Sequence, residues 1–295
     1  MNLVYFFKGK TMKNMIAALI FVAVIGAGCG ALKTNEPVIK EWSKTIDDKV
    51  VYYMSIDGVM VHEKDQAKSP LPPVVTPGTH PLGDKPGTPP SDAVVLFDGT
   101  EKMFKDNWEH VSSRKTKWFY KDGAMVPVKR AGDLRTKQEF GSCQLHVEFA
   151  TSAKVTSAGQ GRGNSGVFLM GTYEVQILDS YKNDTYADGQ IGALYGRSKP
   201  LANPALKPGQ WQSYDIIFDR PIFDKDGKVA KKAQFTVMLN GVVVQKHVVL
   251  SGGTGWKGPN CATHYKAHPD KLPLQIQNHG NEVIFRNIWI RELAD

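Results

Sequence analysis

The 295-residue sequence has little of several features that mark other classes of protein. It contains three cysteines, Cys29, Cys143 and Cys261, which are too few for the disulfide framework of a small secreted domain. It has no run of basic residues, so nucleic-acid binding is not expected. No segment of twelve or more residues keeps a helical period of 3.6, which argues against helical bundles and helical crossovers.

A long apolar run is also missing, because the apolar stretch Ile16–Ile25 is too short to span a bilayer. Lysines precede it and Gly26-Ala27-Gly28-Cys29 follows it, which is typical of a secretory signal. The small residues before Cys29 resemble a lipoprotein cleavage site, although Gly26 replaces the usual leucine. We therefore expect residues 1–28 to be a signal peptide and Cys29 to be the lipidated first residue. The protein would then be exported to the periplasm or outer membrane, touching a membrane only through this lipid anchor.

Removal of residues 1–28 lowers the formal charge from +8 to +5, with 34 basic and 29 acidic residues left. The segment 30–68 is expected to be an N-terminal extension with a β-hairpin, because two β-rich runs flank Asp57-Gly58. Eight prolines lie in residues 69–92, a composition that disfavours helix and central strand and predicts an extended linker. Residues 93–295 are left as the main domain.

The main domain is a series of short alternating segments separated by turn residues. Asp122-Gly123 and Asn240-Gly241 are typical of tight hairpin turns between such segments. The segments are too closely spaced for helical connections. We predict an all-β fold, an antiparallel β-sandwich.

Gly161-x-Gly163-x-x-Gly166 matches the pattern of a dinucleotide-binding loop, which requires a helix after the glycines. Here the residues that follow alternate with period two, so the glycines open a strand. A phosphate-binding loop is therefore disfavoured, and the question becomes what the polar face of this region does.

Alternation predicts polar faces on three strands. These faces carry Gln144, His146 and Glu148; Glu174 and Gln176; and Gln275, Gln277 and His279. An ordinary solvated sheet face would show alternation too. Amides beside carboxylates, with Asn164 nearby, are however suited to a ligand rich in hydroxyl groups, which both donate and accept hydrogen bonds. Four tryptophans could stack on sugars or belong to the core: Trp108, Trp118, Trp211 and Trp289.

Several longer motifs carry a family resemblance. They are LFDGT, W-x-x-x-DGAM, DLRTKQEFGSCQLHVEF, GRGNSGVFLMGTYEVQILDS, ALYG with NPALKPGQWQSYDI, F-x-V-x-LNGV, and LPLQIQNHG with VIFRNIWIREL. The region from Val94 to Leu293 resembles the 3-keto-disaccharide hydrolase family, which implies a concanavalin A-like jelly roll. It also implies an enzyme that cleaves 3-oxo-glycosides by elimination across C1 and C2, or hydrates the resulting 2-hydroxy-3-oxo-glucal. The substrate would be an oxidised di- or oligosaccharide supplied by a sugar 3-dehydrogenase.

Such an elimination needs a base near C2, a donor or cation at the C3 oxygen and an acid for the leaving group. We expect Glu174, His279 and Glu148 to supply the proton-transfer groups. Substrate-binding groups are expected from the remaining polar positions, namely Asn164, Gln176, His146, Gln277, Tyr195 and Asn203. No cofactor is required by the pattern, but a divalent metal ion could hold the enolate, with His146, Glu148, Glu174 and His279 as candidate ligands.

Two other functions remain open. A conventional glucanase would carry Glu-x-Asp-x-x-Glu, whereas this chain has Glu174-x-Gln176-x-x-Asp179, with the last acid predicted to face away from the first. Asp179 is therefore expected to make a structural contact. A non-catalytic surface carbohydrate-binding module would present the same polar faces, and turnover would distinguish it from an enzyme.

Overall fold

The computed structural model describes residues 38–46, 49–56, 59–63, 73–255 and 264–295. The chain divides into two compact units, one ending at Pro73 and the other covering Val74–Asp295. The leader 1–28, Cys29 and Cys261 lie outside the described residues. Among the residues described, no helix is long and apolar enough to cross a membrane.

The first unit contains a three-stranded antiparallel sheet. Its strands are β1 (Ile39–Ile46), β2 (Lys49–Ile56) and β3 (Val59–Glu63). Strands β2 and β3 pair antiparallel, as the sequence predicts, while the Asp57-Gly58 turn itself is outside the described residues.

The second unit is built almost entirely of strands. In chain order its elements are β4 (Val94–Phe97), helix α1 (Glu101–Asn107), β5 (Trp108–His110), β6 (Phe119–Lys121), β7 (Ala124–Val126), β8 (Leu134–Phe140), β9 (Cys143–Thr151), β10 (Ser165–Leu169), β11 (Tyr173–Ile177), β12 (Gln212–Asp219), β13 (Ile222–Phe223), β14 (Val229–Lys231), β15 (Gln234–Leu239), β16 (Val242–Val249), β17 (Leu272–Ile276) and β18 (Val283–Glu292).

Two antiparallel sheets form the sandwich. The five-stranded sheet has the order β11-β10-β17-β8-β5. The eight-stranded sheet has the order β16-β15-β12-β9-β18-β7-β6, with β4 paired to β18. Strands β13 and β14 form a separate hairpin. The predicted antiparallel β-sandwich is confirmed.

Alternation along each strand sends one set of side chains into the core between the sheets. Leu145, Val147 and Phe149 of the eight-stranded sheet and Val175 and Ile276 of the five-stranded sheet belong to one buried apolar cluster. Polar residues that alternate with them, such as His146 between Leu145 and Val147, must therefore lie on the outer faces. The sandwich consequently offers two separate polar surfaces on opposite sides of its core.

The predicted hairpin turns have the backbone that their sequences require. Asp122 and Gly123 have φ values of 49° and 78°, and Asn240 and Gly241 have values of 52° and 77°. Two consecutive left-handed residues give the turn whose twist matches paired strands, and Asn, Asp and Gly tolerate it best.

Residues 74–92, here called the proline strap, belong to the second unit and do not form the extended linker that the prolines suggested. Thr79 and Thr88 pair across the strap, which turns back on itself. The Gly87 N–H donates to Glu148 Oε1 at 2.8 Å, and Arg286 Nη1 donates to the Asp84 carbonyl oxygen at 2.5 Å. The strap therefore covers part of the outer face of the eight-stranded sheet.

Candidate active site

The outer face of the five-stranded sheet carries polar side chains from the neighbouring strands β11, β10 and β17. In the register of β10 and β11, Gly166 lies opposite Gln176 and Phe168 lies opposite Glu174. Phe168 is also paired with Gln275 of β17. Because these residues alternate with core residues, their side chains share the surface away from the core.

Glu174 is the most unusual group on this face, because its side chain is almost completely buried, with 5% of the residue exposed. Its backbone N–H donates to Thr254 Oγ1 at 2.8 Å. The carboxylate lies over Gly166, where a Cβ atom would be 2.4 Å from Glu174 Oε1. Glycine at position 166 therefore makes the space that the carboxylate occupies.

Burial raises the pKa of Glu174 to about 8, and the negative charge of Asp133 adds to the rise. Both effects disfavour the ionised form. A carboxyl group with a pKa near neutral pH can accept or donate a proton during a reaction, which is a property of catalytic acids and bases. The prediction that Glu174 is a proton-transfer residue agrees with this environment.

Asp133 is a second acidic group at this face, and it was not among the residues predicted for the site. It lies just before β8, where its Oδ1 accepts from the Asn278 N–H at 2.8 Å and its Oδ2 accepts from Gln275 Nε2 at 2.9 Å. Burial raises its pKa despite these hydrogen bonds. His279 is exposed and close enough for its charge to favour the ionised form of Asp133.

Two tyrosine hydroxyls lie beside the glutamate. Tyr186 Oη and Tyr195 Oη are 2.7 Å apart, and the Tyr195 N–H donates to the Glu174 carbonyl oxygen at 3.3 Å. The pKa of Tyr186 is raised by burial, by the Tyr195 hydroxyl and by nearby carboxylates that include Glu174. The pair therefore places two hydroxyl groups next to the candidate proton-transfer residue. Tyr195 was predicted for this site, whereas Tyr186 was not.

Amide side chains surround the same group. In the amide orientation that satisfies its neighbours, Gln176 donates to the Ser165 carbonyl oxygen at 2.8 Å and to Glu174 Oε1 at 3.2 Å. Asn164 is buried and donates from Nδ2 to the Gln160 carbonyl oxygen at 2.8 Å. Asn164 thus holds the loop that carries Gln160, while Gln176 contacts the candidate catalytic carboxyl directly.

Two other predicted binding residues have mainly local contacts. The backbone of Gln277 is fixed to β10, because its N–H donates to the Gly166 carbonyl oxygen at 3.0 Å and its carbonyl accepts from Ser165 Oγ at 2.7 Å. Asn203 donates from Nδ2 to the Ser180 carbonyl oxygen at 3.0 Å and accepts from the Ala205 N–H at 3.2 Å. Both ends of the Asn203 amide therefore shape its own loop.

His146 and Glu148 lie on the other sheet, across the core from Glu174, so the prediction that Glu148 is a proton-transfer residue and His146 a binding residue of the same site is wrong. Both are on β9 of the eight-stranded sheet. His146 Nδ1 is 2.7 Å from Asp215 Oδ1, and Glu148 Oε2 accepts from Arg286 Nε at 2.7 Å. The proline strap buries them, which alternation within β9 could not reveal.

This separation also removes the predicted metal site as a set of four, because His146 and Glu148 cannot bind the same ion as Glu174 and His279. Within the described parts of the chain, no group of three or more His, Cys, Asp and Glu side chains is arranged to hold a metal ion. The outer face of the five-stranded sheet that carries Glu174, Gln176 and Gln275 is here called the Glu174 face. Its residues therefore do not fit a protein-bound metal centre.

Asp179 makes the structural contact that the sequence predicts. Its Oδ2 accepts from Arg162 Nε at 2.6 Å, and its Oδ1 accepts from the Tyr181 N–H at 3.2 Å. A retaining glycosidase needs a second free carboxyl group about 5 Å from the first. Asp179 is committed to these partners and does not provide one.

Comparisons with known proteins place the fold and its class of activity. Residues 92–291 match the family model of the 3-keto-alpha-glucoside-1,2-lyase-like domain. A solved structure of a candidate glycosyl hydrolase from Parabacteroides distasonis is 44% identical, with a TM-score of 0.70, over 76% of this chain and 93% of that one. Another candidate glycosyl hydrolase from the same organism is 20% identical, with a TM-score of 0.48, over 69% of this chain and 94% of that one.

None of the curated proteins matches this chain. The family match covers most of the sandwich, including every strand of the Glu174 face. The protein belongs to the 3-keto-alpha-glucoside-1,2-lyase-like domain family and is a carbohydrate-active enzyme.

Proposed function

We propose that the protein cleaves 3-oxo-glycosides by elimination across C1 and C2, with Glu174 as the proton-transfer group. The observation that carries this proposal is the buried carboxyl of Glu174, whose pKa is raised to about 8 beside two tyrosine hydroxyls and several amides. The family to which the chain belongs supports the same reaction class.

A ketone at C3 makes the C2 proton acidic. Glu174 takes this proton, and the C2–H electron pair forms an enolate that includes the C3 oxygen. The enolate then reforms the C3 carbonyl and a C1–C2 double bond while the C1–O bond breaks. The departing oxygen takes a proton from the now protonated Glu174, which gives a free alcohol and a 2-hydroxy-3-oxo-glucal and returns Glu174 to its ionised form. Addition of water across the new double bond would complete a net hydrolysis.

The Tyr186–Tyr195 hydroxyl pair is suited to donating to an oxygen that gains negative charge. Its distance of 2.7 Å lets one hydroxyl donate outward while the other supports it. Both N–H groups of the buried Gln176 are already used, so this residue positions the Glu174 carboxyl. His279 and Asp133 lie at the neighbouring edge of the same face.

The pH dependence follows from the proposed role of Glu174. The base must be ionised, and its pKa of about 8 means that only a minor fraction is ionised at pH 7. The rate of the elimination step should therefore increase from pH 6 to pH 8 and level off above the pKa.

The test uses purified protein with 3-oxo-trehalose, 3-oxo-lactose and the unoxidised parent sugars. Glu174→Gln should lower kcat on the 3-oxo substrates by about 100-fold or more, because loss of a general base typically has that effect. Glu139→Gln is a matched control, since Glu139 is an exposed residue of β8 in the same sheet. Products are measured by mass spectrometry.

The outcome distinguishes the competing functions. Cleavage of the unoxidised parents at an equal rate would instead support a conventional glycosidase. Binding of sugars without turnover of any substrate would support a binding module. Deuterium at C2 should slow the reaction if the C2–H bond breaks in the slow step. An unchanged kcat in Glu174→Gln would show that Glu174 is not the proton-transfer group.

A further inference from the structure

Trp211 differs from the other tryptophans considered in the sequence. Trp108, Trp118 and Trp289 are buried at 3%, 4% and 6% exposure, whereas Trp211 is only partly buried at the start of β12. It immediately precedes β12 and contacts Arg286 of β18, so it lies beside the eight-stranded sheet, on the other side of the sandwich core from Glu174. The proposed elimination gives this residue no role.

The indole ring of Trp211 is held in place by a fixed cation. The Arg286 guanidinium carbon lies 4.0 Å from the ring centroid, a distance typical of a cation–π contact. Arg286 is itself fixed, because its Nε donates to Glu148 Oε2 at 2.7 Å and its Nη1 donates to the Asp84 carbonyl oxygen at 2.5 Å. The ring is thus positioned before any ligand arrives, which lowers the ordering cost of binding.

Two cavities meet at Trp211. One has a volume of about 500 Å³ and the other of about 480 Å³, and both are lined by Trp211 and Asp84. Each volume lies in the range that holds a small ligand. Because Trp211 and Asp84 line both cavities, the cavities are adjacent, and a chain of linked sugar rings that contacts Trp211 could reach into both.

The linings favour a neutral ligand with many hydroxyl groups. The first cavity contributes Gln210 and Ser213, and the second contributes the carboxylates of Asp98 and Asp122. Carboxylates and amides bind hydroxyls, while three aspartates around the cavities oppose an anionic ligand. The charge of Arg286 is already matched by Glu148.

We propose that the cavities on either side of Trp211 form a second, non-catalytic binding site for a neutral oligosaccharide. One sugar ring stacks on the indole, and the flanking rings lie in the two cavities. This site goes beyond the proposed elimination and does not depend on it, because no residue of the Glu174 face contributes to it.

The test measures binding of cellopentaose, maltopentaose and laminaripentaose by calorimetry, with a trigalacturonate as the acidic comparison. All measurements use the Glu174→Gln form of the full chain, so that neither turnover nor the catalytic carboxylate contributes. At least one neutral oligosaccharide should bind, and the acidic one should not. Trp211→Ala should weaken binding by about tenfold or more, since a central aromatic group often dominates such an interface.

Two further variants keep the result interpretable if Trp211→Ala folds poorly. Asp84→Arg places a long side chain at the wall of both cavities while the Asp84 carbonyl contact to Arg286 remains, and it should weaken binding similarly. Phe119→Ala removes another exposed aromatic of the same sheet and should leave binding unchanged. The proposal is overturned if no neutral oligosaccharide binds, or if Trp211→Ala and Asp84→Arg bind as well as Phe119→Ala.

Discussion

At the scale of single residues, Glu174 combines a useful pKa with a stability cost. Its ordinary pKa is 4.5, and its pKa in the folded protein is about 8. Between these values the unfolded chain ionises Glu174 while the folded chain keeps it protonated. The free energy of unfolding therefore decreases as the pH rises from about 4.5 to about 8, and this contribution then stays constant.

Glu174→Gln should therefore stabilise the protein, and more so at higher pH. A shift of this size corresponds to about 3 kcal/mol at pH 7 and less than about 1 kcal/mol at pH 5. Urea unfolding at both pH values measures the difference, with Glu139→Gln as the control for loss of an exposed carboxylate. An equal effect of Glu174→Gln at both pH values would contradict the raised pKa.

The sequence alone predicted part of the candidate site, namely the shared face of Glu174 and Gln176. Alternation correctly put Glu174 and Gln176 on one outer face, because a strand fixes side-chain direction locally. Asp133 lies in a loop, where no period applies, so its place near Glu174 follows only from the pairing of β8 with β17. His146 and Glu148 fit the same alternation but belong to the other sheet.

At the scale of elements, the proline strap and β9 depend on one another through buried charges. His146 lies between two carboxylates, with Nδ1 2.7 Å from Asp215 Oδ1 and Nε2 3.5 Å from Glu148 Oε1. Burial lowers the pKa of His146, but the hydrogen bond to Asp215 and the negative charges of Asp215 and Glu148 outweigh it, and the net pKa is above the ordinary value. Protonated His146 therefore stabilises the arrangement that holds the strap.

The raised pKa of His146 should make the stability of the strap depend on pH. Because the pKa of His146 is raised on folding, its stabilisation is fully present below the ordinary pKa of 6.5 and is lost as the pH rises through the folded value. Amide exchange at Gly87, corrected for the intrinsic pH dependence, should show less protection at high pH than at pH 6. His146→Asn should remove this dependence, whereas Glu174→Gln should keep it.

Constant protection of Gly87 across that range in the unsubstituted protein would contradict the role of His146. A local amide is the right measurement, because Glu174 also changes global stability in the same direction as the pH rises. The Gly87 N–H reports the strap directly through its bond to Glu148.

The sequence predicted the two hairpin turns but not helix α1. The Asp-Gly and Asn-Gly hairpins were predicted because their residues suit a left-handed backbone. Helix α1 was missed because seven residues are too few to show a helical period. Its N-cap residue is Thr100, whose Oγ1 accepts from the Met103 N–H at 3.2 Å, a local capping signal that could have revealed the helix.

At the scale of the whole molecule, the folded unit begins earlier than the composition suggests. The main domain was expected from residue 93, whereas the structural unit begins at Val74. The composition of the strap correctly excluded helix and central strand, but it carries no information about a surface on which a segment packs. The contacts that hold the strap are distant in sequence, with Gly87 and Asp84 bonded to residues 148 and 286.

A chain that starts at Val74 should unfold as one cooperative unit, and a chain that starts at residue 93 should be much less stable. Loss of the strap removes the Gly87 N–H from Glu148 and the Asp84 carbonyl oxygen from Arg286, while the bond between Glu148 and Arg286 remains. A decrease in the free energy of unfolding of about 3 kcal/mol is expected, because each hydrogen bond to a charged group contributes about 1.5–3 kcal/mol. Thermal unfolding followed by circular dichroism compares the two chains. Equal melting temperatures would show that the strap does not stabilise the sandwich.

The strap is held on the sheet by hydrogen bonds of its backbone. The Gly87 N–H donates to Glu148, and the carbonyl oxygens of Asp84 and Gly83 accept from Arg286. Evolution can therefore rewrite most of its side chains without loosening it. The constrained positions are Gly78 and Gly87, where a Cβ atom would come within 2.4 Å and 2.2 Å of carbonyl oxygens across the strap. A relative could therefore keep the same backbone contacts with different side chains, and a comparison that starts at the sandwich would not detect them.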